Sequence, residues 1–353
     1  MIDSESQLDI FANKIRGAKW LAIDTEADSL HSYPEKLCLM QIAIPDQVEL
    51  VDTLCGVDLV PMWDAMGSRE LIMHGADYDL RLLKSGHDFV PDRIFDTMTA
   101  ARLIGREKFG LGDLVSDYVG VSLEKSSQKA NWAKRPLTPK MMEYALDDAR
   151  YLQPLAEKLS AELKNKGRDE WHRQECAQLI IENTNLPAPD LDQVWRIKGS
   201  NRLSPDALSV LRELWHWREG EAKRLNRPPF FILAHDRLID LASTSAEGGD
   251  YLHMLPRRIS PRRRDGIIDA IRRGCSEPSV NHPQPIKAPS RRNVTNKQKC
   301  RFSELQARRD KHAGELGIDP TLIASRATLM TLALDGNDGI ANLLNWQRDL
   351  LAV

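Results

Sequence analysis

Acidic side chains set at short, regular intervals are the residues of this chain best suited to chemistry. Asp24 and Glu26 follow the run Leu21, Ala22, Ile23. Two apart on an extended strand, they project to one face. The apolar lead-in reads as a buried central strand whose end would hold both acids at a cleft, whereas the usual fate of a D-x-E is a solvated strand edge. A third acid sits in MHGADYDLRLL, where strand turns into helix. Asp77 stands where a helix N-cap is expected; Asp79, one turn in, can face the sheet edge and is the better placed of the two. The fourth lies in LTPKMMEYALDDARYL, a helix with Thr138 as cap and Pro139 at its first position. Tyr144 and Asp148, four apart, share a helix face, and Asp147 is a rival that spacing leaves open. Read blandly, Tyr144 is a half-buried core aromatic and the aspartates are surface charges. Carboxylates converging in one cleft would repel one another without hard cations, so such a set amounts to a divalent-cation site that is poorly settled when empty.

The elements that must position these acids follow from apolar patterning. WLAIDTEA, KLCLMQIAI and QVELVDTL are strand-like, with a tight turn at residues 45–47, and LIMHGA is a fourth strand. Helical periodicity follows at about 57–67, 77–86, 97–104, 110–119 and 138–163. An antiparallel start followed by alternating strand and helix implies an α/β layer arrangement, a mixed sheet flanked by helices.

From about residue 168 strand signals vanish and an internal repeat emerges. Residues 214–242 align without a gap on residues 305–333 at a constant offset of 91, matching Leu214 with Leu305, Arg218 with Arg309, Ala222 with Ala313, Pro229 with Pro320 and Leu238 with Leu329. Each copy reads as helix, proline turn, helix. Between the copies, CSEPSVNHPQPIKAPSRRNVTNKQK has the composition of an exposed linker. The expected boundaries are therefore a catalytic domain over 1–195, a helical domain over 203–275, a linker over 276–299 and a second helical domain over 300–353.

At 353 residues the chain is long enough for two or three domains, and 42% hydrophobic with 28% charged residues is a globular balance. No apolar run of about 18 residues could span a bilayer, and the acidic, polar start lacks the look of a secretory signal. The reading is of a cytoplasmic protein with no membrane partner. Cys38, Cys55, Cys176, Cys275 and Cys300 form no C-x-x-C pair, so neither a structural zinc nor a redox site is expected. The net charge of −2 conceals an asymmetry: residues 1–160 hold 18 basic against 26 acidic residues, the remainder 31 against 25. An acidic centre joined to a basic, partner-binding half is implied. Arg257, Arg258, Arg262, Arg263, Arg264, Arg272 and Arg273 are the phosphate-binding candidates there. Lys125, Lys129, Lys134 and Arg135 could hold a substrate backbone nearer the acids.

Taken in order, D-x-E, H-x-x-x-x-D and Y-x-x-x-D resemble the exonuclease superfamily named for its four acids, in its tyrosine branch. DTEADSLHSYPEKLCLMQIA, FGLGDLVSDYVGVSLEK and NWAKRPLTPKMMEYALDDARYL narrow the likeness to the ribonuclease D family, and LRELWHWREGEAKRLNRPPFFILAHDRLIDLA resembles its HRDC domain. The resemblance implies a ribonuclease H-like catalytic fold followed by two small all-α domains. It assigns metal-ligand roles to Asp24, Glu26, Asp79 and Asp148 and a catalytic role to Tyr144, and it implies two divalent ions, Mg²⁺ or Mn²⁺. The implied activity is 3′–5′ exoribonuclease on RNA with a free 3′ end, with transfer RNA precursors as substrates and a monomeric enzyme. The small, polar ADSLHS after Glu26 departs from the family pattern. A DNA exonuclease of the same superfamily and a non-catalytic nucleic-acid-binding protein are the competing readings. A helicase is excluded because no G-x-x-x-x-G-K-[ST] loop is present.

Overall fold

In this computed structural model the residues described are 1–353 apart from 125, 257, 287–293, 336–338, 342 and 353. The apolar runs of the first half form the strands β1 (Leu21–Ala27), β2 (Leu37–Ile44) and β3 (Gln47–Asp52), preceded by α1 (Glu5–Gly17). Then come α2 (Val60–Gly67), β4 (Glu70–Met73), α3 (Asp77–His87), β5 (Arg93–Asp96), α4 (Thr97–Ile104), α5 (Leu111–Val119), α6 (Pro139–Arg150), α7 (Leu152–Asn165) and α8 (Asp169–Thr184). The sheet order is β3-β2-β1-β4-β5, with β1, β2 and β3 antiparallel and β1, β4 and β5 parallel. Leu21 and Ile23 point into the core shared with α1, α2 and α3; Ala22 points the other way, against Ala149, Leu152 and Ala156 of α6 and α7. Strand alternation then carries Asp24 and Glu26 toward the α6 side.

Three elements depart from the sequence reading, the first being α1, a helix of 13 residues that it did not include. β5 is a fifth strand of only four residues, RIFD, too short and too charged at its start for a periodic signal, and it forms by parallel pairing with β4. The single helix expected over 138–163 is two, broken at Tyr151. Pro154 has no N–H to give the carbonyl of Arg150, so α6 ends there and the chain restarts as α7.

The helical half comprises α9 (Pro205–Leu225), α10 (Pro229–Ile232), α11 (His235–Ala246), α12 (Pro261–Ser276), α13 (Asn296–Leu316), α14 (Pro320–Ile323), α15 (Arg326–Asp335) and α16 (Asn345–Leu351). The repeat is reproduced atom for atom at several points. Ser204 caps α9 and Thr295 caps α13 through side-chain oxygens, and Asn226 and Gly317 end those helices with φ of 48° and 64°. Arg218 donates to the carbonyl of Leu233 and pairs with Glu219; Arg309 donates to the carbonyl of Ala324 and pairs with Asp310.

The chain forms two compact units, and they are not cut where the sequence suggests. One comprises Met1–Ala27, Leu37–Leu186 and Asn293–Val353; the other comprises Asp28–Lys36 and Pro187–Arg292. The second repeat copy therefore belongs to the catalytic unit. Its Leu305, Ala313, Ile323, Leu329 and Trp346 share one apolar cluster with Leu103, Ile104 and Leu114 of α4 and α5 and with Leu155 and Leu159 of α7. Trp171 stacks on Trp346 at 4.7 Å, and Arg168 donates to the carbonyls of Leu103 and Leu316 at 2.6 and 2.7 Å. At the end of α4, Gly105 has φ 93°, and a Cβ there would meet the carbonyl oxygen of Gly317 at 2.1 Å.

Such packing makes the last 60 or so residues part of the catalytic unit's stability. Trp346→Ala should destabilise that unit by about 3–5 kcal/mol, the range for emptying a buried aromatic site, read as a shift in the urea midpoint of the far-ultraviolet signal. Unfolding of the catalytic unit at an unchanged midpoint would mean that the second copy folds by itself.

Candidate active site

The acids come close because three elements, β1, α3 and α6, meet near one place. β1 presents Asp24 and Glu26 beside Gln41 and Leu39 of β2, their register partners. From α6, capped by the Thr138 side chain, come Tyr144 and Asp148. One carboxylate oxygen from each of Asp24, Glu26 and Asp148 lies within 4.8 Å of the other two. Asp79, in the first turn of α3, is not in that group and does not line the cleft; 7% exposed, it lies behind β1 and accepts a hydrogen bond from the Thr25 hydroxyl. Asp24, Thr25, Glu26, Tyr144 and Asp148 line a cleft of about 390 Å³ together with His74, Met98 and Leu111.

Asp96 fixes the turn that delivers Asp79. Buried at the end of β5, it accepts from the amide of Ala76 with one oxygen and from that of Thr99 with the other, holding the starts of α3 and α4 together. The expected N-cap role of Asp77 is therefore not seen. Ala76 occupies the cap position, and Asp77 is ion-paired with Arg81 on the surface. Asp147, the other rival, pairs with Arg150 outside the acid group.

Burial and mutual repulsion keep protons on this cluster. Asp24 is pushed well above the usual carboxylate range by burial first and then by the charges of Asp79, Asp148 and Glu26. Burial, with Asp148 and Asp79, pushes Glu26 up to about 9. Asp79 and Asp148 rise, again chiefly by burial, to about 7 and about 6. Burial first, and then the charges of Asp148 and Glu26, raise the pKa of the Tyr144 hydroxyl too, so it stays protonated. An all-oxygen, anionic donor set with no ion pair to Asp24, Glu26 or Asp148 among the described residues fits a hard divalent cation. Gln41, fully buried opposite Asp24, has no hydrogen-bond partner for either end of its amide among the described residues.

Comparison with known proteins now bears on this geometry. Residues 1–164 match the 3′–5′ exonuclease family and residues 207–246 the HRDC domain. A ribonuclease D of Desulfotalea psychrophila is 27% identical over 361 residues, taking in 99% of this chain and 96% of the relative. The chain belongs to the ribonuclease D family. Escherichia coli RNase D, described as an exoribonuclease involved in structured RNA processing, is 23% identical and superposes with a TM-score of 0.76 over 100% of this chain and 96% of its own. A protein from Bifidobacterium adolescentis gives 0.87 at 21% identity, over 100% and 94%. At these identities the superpositions speak for the fold.

Not every basic residue expected to touch RNA in this chain is free to do so. Arg135 grips Asp52 with two nitrogens at 2.6 Å each and also donates to the carbonyls of Cys38 and Trp132, so it pins the loop before α6 to the sheet. Burial would raise the Asp52 carboxyl, but the Arg135 fork outweighs it and holds that carboxyl below its usual range. Lys129 and Lys134 are exposed, and Lys125 lies outside the described residues. In the other unit Arg263, Arg272 and Arg273 pair with Glu221, Asp269 and Glu213. Arg258, Arg262 and Arg264 are exposed and without an ion pair among the described residues; Arg257 lies outside them. Sequence reasoning passed over Gln41, Thr25 and Asp96. A lone glutamine in the apolar run LCLMQIAI was the one signal available for the first.

The raised carboxylates make metal binding and stability depend on pH in a defined sense. Below about pH 4 both folded and unfolded chains are protonated at these acids. Above it the unfolded chain loses protons that the folded cluster retains, so the metal-free protein should lose stability as pH rises toward 9. A divalent ion replaces those protons. With chelator present, the melting temperature should fall between pH 5 and pH 9, and Mg²⁺ should raise it more at pH 8 than at pH 5.5. A Mg²⁺ increment independent of pH would rule out protons as the competing ligand.

Proposed function

We propose that this 3′–5′ exoribonuclease hydrolyses the terminal phosphodiester of RNA with two divalent ions held by Asp24, Glu26, Asp79 and Asp148, and with Tyr144 orienting the attacking water. The observation that carries the reading is the convergence of three carboxylate oxygens within 4.8 Å on the cleft that also receives Tyr144. Divalent ions bound by these acids supply an activated water and neutralise charge on the phosphate and the departing 3′ oxygen. The rest of the chemistry belongs to the protein. Tyr144 shares a helix face with Asp148 and keeps its hydrogen, so its hydroxyl can hydrogen-bond the attacking water and so direct that water's lone pair at phosphorus. A phenol kept protonated by burial is no base. Met98, Leu111 and Leu123 give the cleft apolar walls suited to packing a terminal nucleoside.

Binding of longer RNA is assigned to the HRDC-containing unit. Arg258, Arg262 and Arg264 are available for phosphates, and Phe230 and Phe231 stand 51% and 59% exposed, where bases could stack on them. Transfer RNA precursors are the substrates the family suggests, acted on by a monomer in the cytoplasm. Trimming of a 3′-extended transfer RNA to a defined length, beside the matched DNA strand, tests substrate class.

Asp24→Asn, Asp79→Asn and Asp148→Asn should each abolish trimming while RNA is still bound, and Asp77→Asn should leave the rate near wild type. The reverse result for the Asp77 and Asp79 variants would exchange their roles. Tyr144→Phe should bind metal normally and slow single-turnover cleavage roughly ten- to a thousandfold; an unchanged rate removes the tyrosine from the chemistry.

For the second unit, replacing Arg258, Arg262 and Arg264 together by alanine should make the log–log salt dependence of RNA binding shallower by about 2, from about 0.7 per phosphate contact on single strands. An unaltered slope would place the phosphate grip elsewhere.

A further inference from the structure

His74 follows β4 directly and lines the cleft beside the acids, yet it has no part in the group that could hold a metal ion. Its hydrogen bonding decides which ring nitrogen carries the proton. The hydroxyl of Thr97 gives its only hydrogen to the carbonyl of Met73, at 3.0 Å. The same oxygen stands 2.9 Å from Nδ1 of His74 and must therefore be the acceptor, which places the ring hydrogen on Nδ1. Burial lowers the pKa of the ring, against the opposing charge of Asp96, so the imidazole stays neutral at physiological pH. Nε2 keeps its lone pair, and no described residue is bonded to it.

A fixed acceptor in a nuclease cleft calls for a donor on the substrate. The phosphate has none to give at neutral pH, and base amino groups vary from one nucleotide to the next. Every ribonucleotide carries a 2′-hydroxyl, which donates and which DNA lacks. We propose that Nε2 of His74 accepts a hydrogen bond from the 2′-hydroxyl of the 3′-terminal ribose, making His74 the residue by which this enzyme distinguishes an RNA end from a DNA end. The assignment rests on the exonuclease reading given above. The apolar walls of Met98, Leu111 and Leu123 would hold the sugar and base without competing for that hydroxyl.

Oligoribonucleotides identical except for a ribo, 2′-deoxy or 3′-deoxy terminal residue separate the possibilities in single-turnover assays with Mg²⁺. The wild-type enzyme should release the 2′-deoxy residue about tenfold more slowly than the ribo residue, the effect of one unmade neutral hydrogen bond. His74→Phe should bring that ratio to about one, and His74→Gln, which restores an acceptor oxygen, should recover part of it. Thr97→Val, which keeps the imidazole but frees its tautomer, should also lower the ratio, and thermal melts of all three variants show whether the fold is kept. A ratio in His74→Phe equal to that of the wild type overturns the proposal. So does a wild-type enzyme that loses rate only on the 3′-deoxy end, or that releases ribo and 2′-deoxy ends equally. If the wild type releases none of the three, the exonuclease reading fails and this one with it.

Discussion

Three carboxylates gathered in one cleft, with the buried Asp79 close behind them, set the terms for the rest of the catalytic unit. Burial alone raises each acid, and their mutual repulsion raises Asp24 and Glu26 further. Protons offset part of this repulsion when the acids are brought together, and a divalent cation would take their place. Rigid placement follows from that demand. Asp24 and Glu26 sit on the middle strand of five, where neither neighbour can shift without disturbing two pairings. Asp148 rides on a helix whose start is capped, and Asp79 depends on a turn held by both oxygens of Asp96.

Arginines in this unit serve the same end by holding carbonyls rather than substrate. Arg135 collects the carbonyls of Cys38 and Trp132 and the carboxylate of Asp52 in one fork, tying the segment before α6 to β2 and β3. Arg168 does the like for the ends of α4 and α13. A guanidinium has five donors in fixed geometry, so one buried arginine can close several loop ends at once. In sequence, such residues cannot be told from phosphate-binding ones; the difference lies in which carbonyls fold up to meet them.

How much could be read beforehand follows the range of the forces involved. Strands β1 to β4 and the positions of Asp24, Glu26, Tyr144 and Asp148 on their elements were legible, because alternation and helical spacing are local. β5 was not, since RIFD carries too little pattern and exists by pairing with β4. Proline chemistry could have revealed the break at Tyr151 but was outweighed by continuous apolar spacing across it. The membership of residues 293–353 in the catalytic unit was invisible, because an apolar helix face looks the same whether it packs within its own module or on α4 and α7.

The two repeat copies show how one scaffold supports two uses. The interior plan is kept at an offset of 91: capped first helix, left-handed stop, proline turn and an arginine that pairs with the next residue while donating to a turn carbonyl. The surface plan is not. Lys223, Arg224 and Arg227 of the first copy become Gly314, Glu315 and Ile318 in the second, and Phe230 and Phe231 become Thr321 and Leu322. Ile318 is buried where Arg227 is exposed. Ile318 and Leu322 join the apolar cluster of the catalytic unit, while Gly314, Glu315 and Thr321 stay exposed without the positive charge or aromatic rings of the first copy. The interior arginine is indifferent to that exchange, since its partners all lie within the copy, and this is why the repeat stays recognisable in sequence after its surfaces have parted.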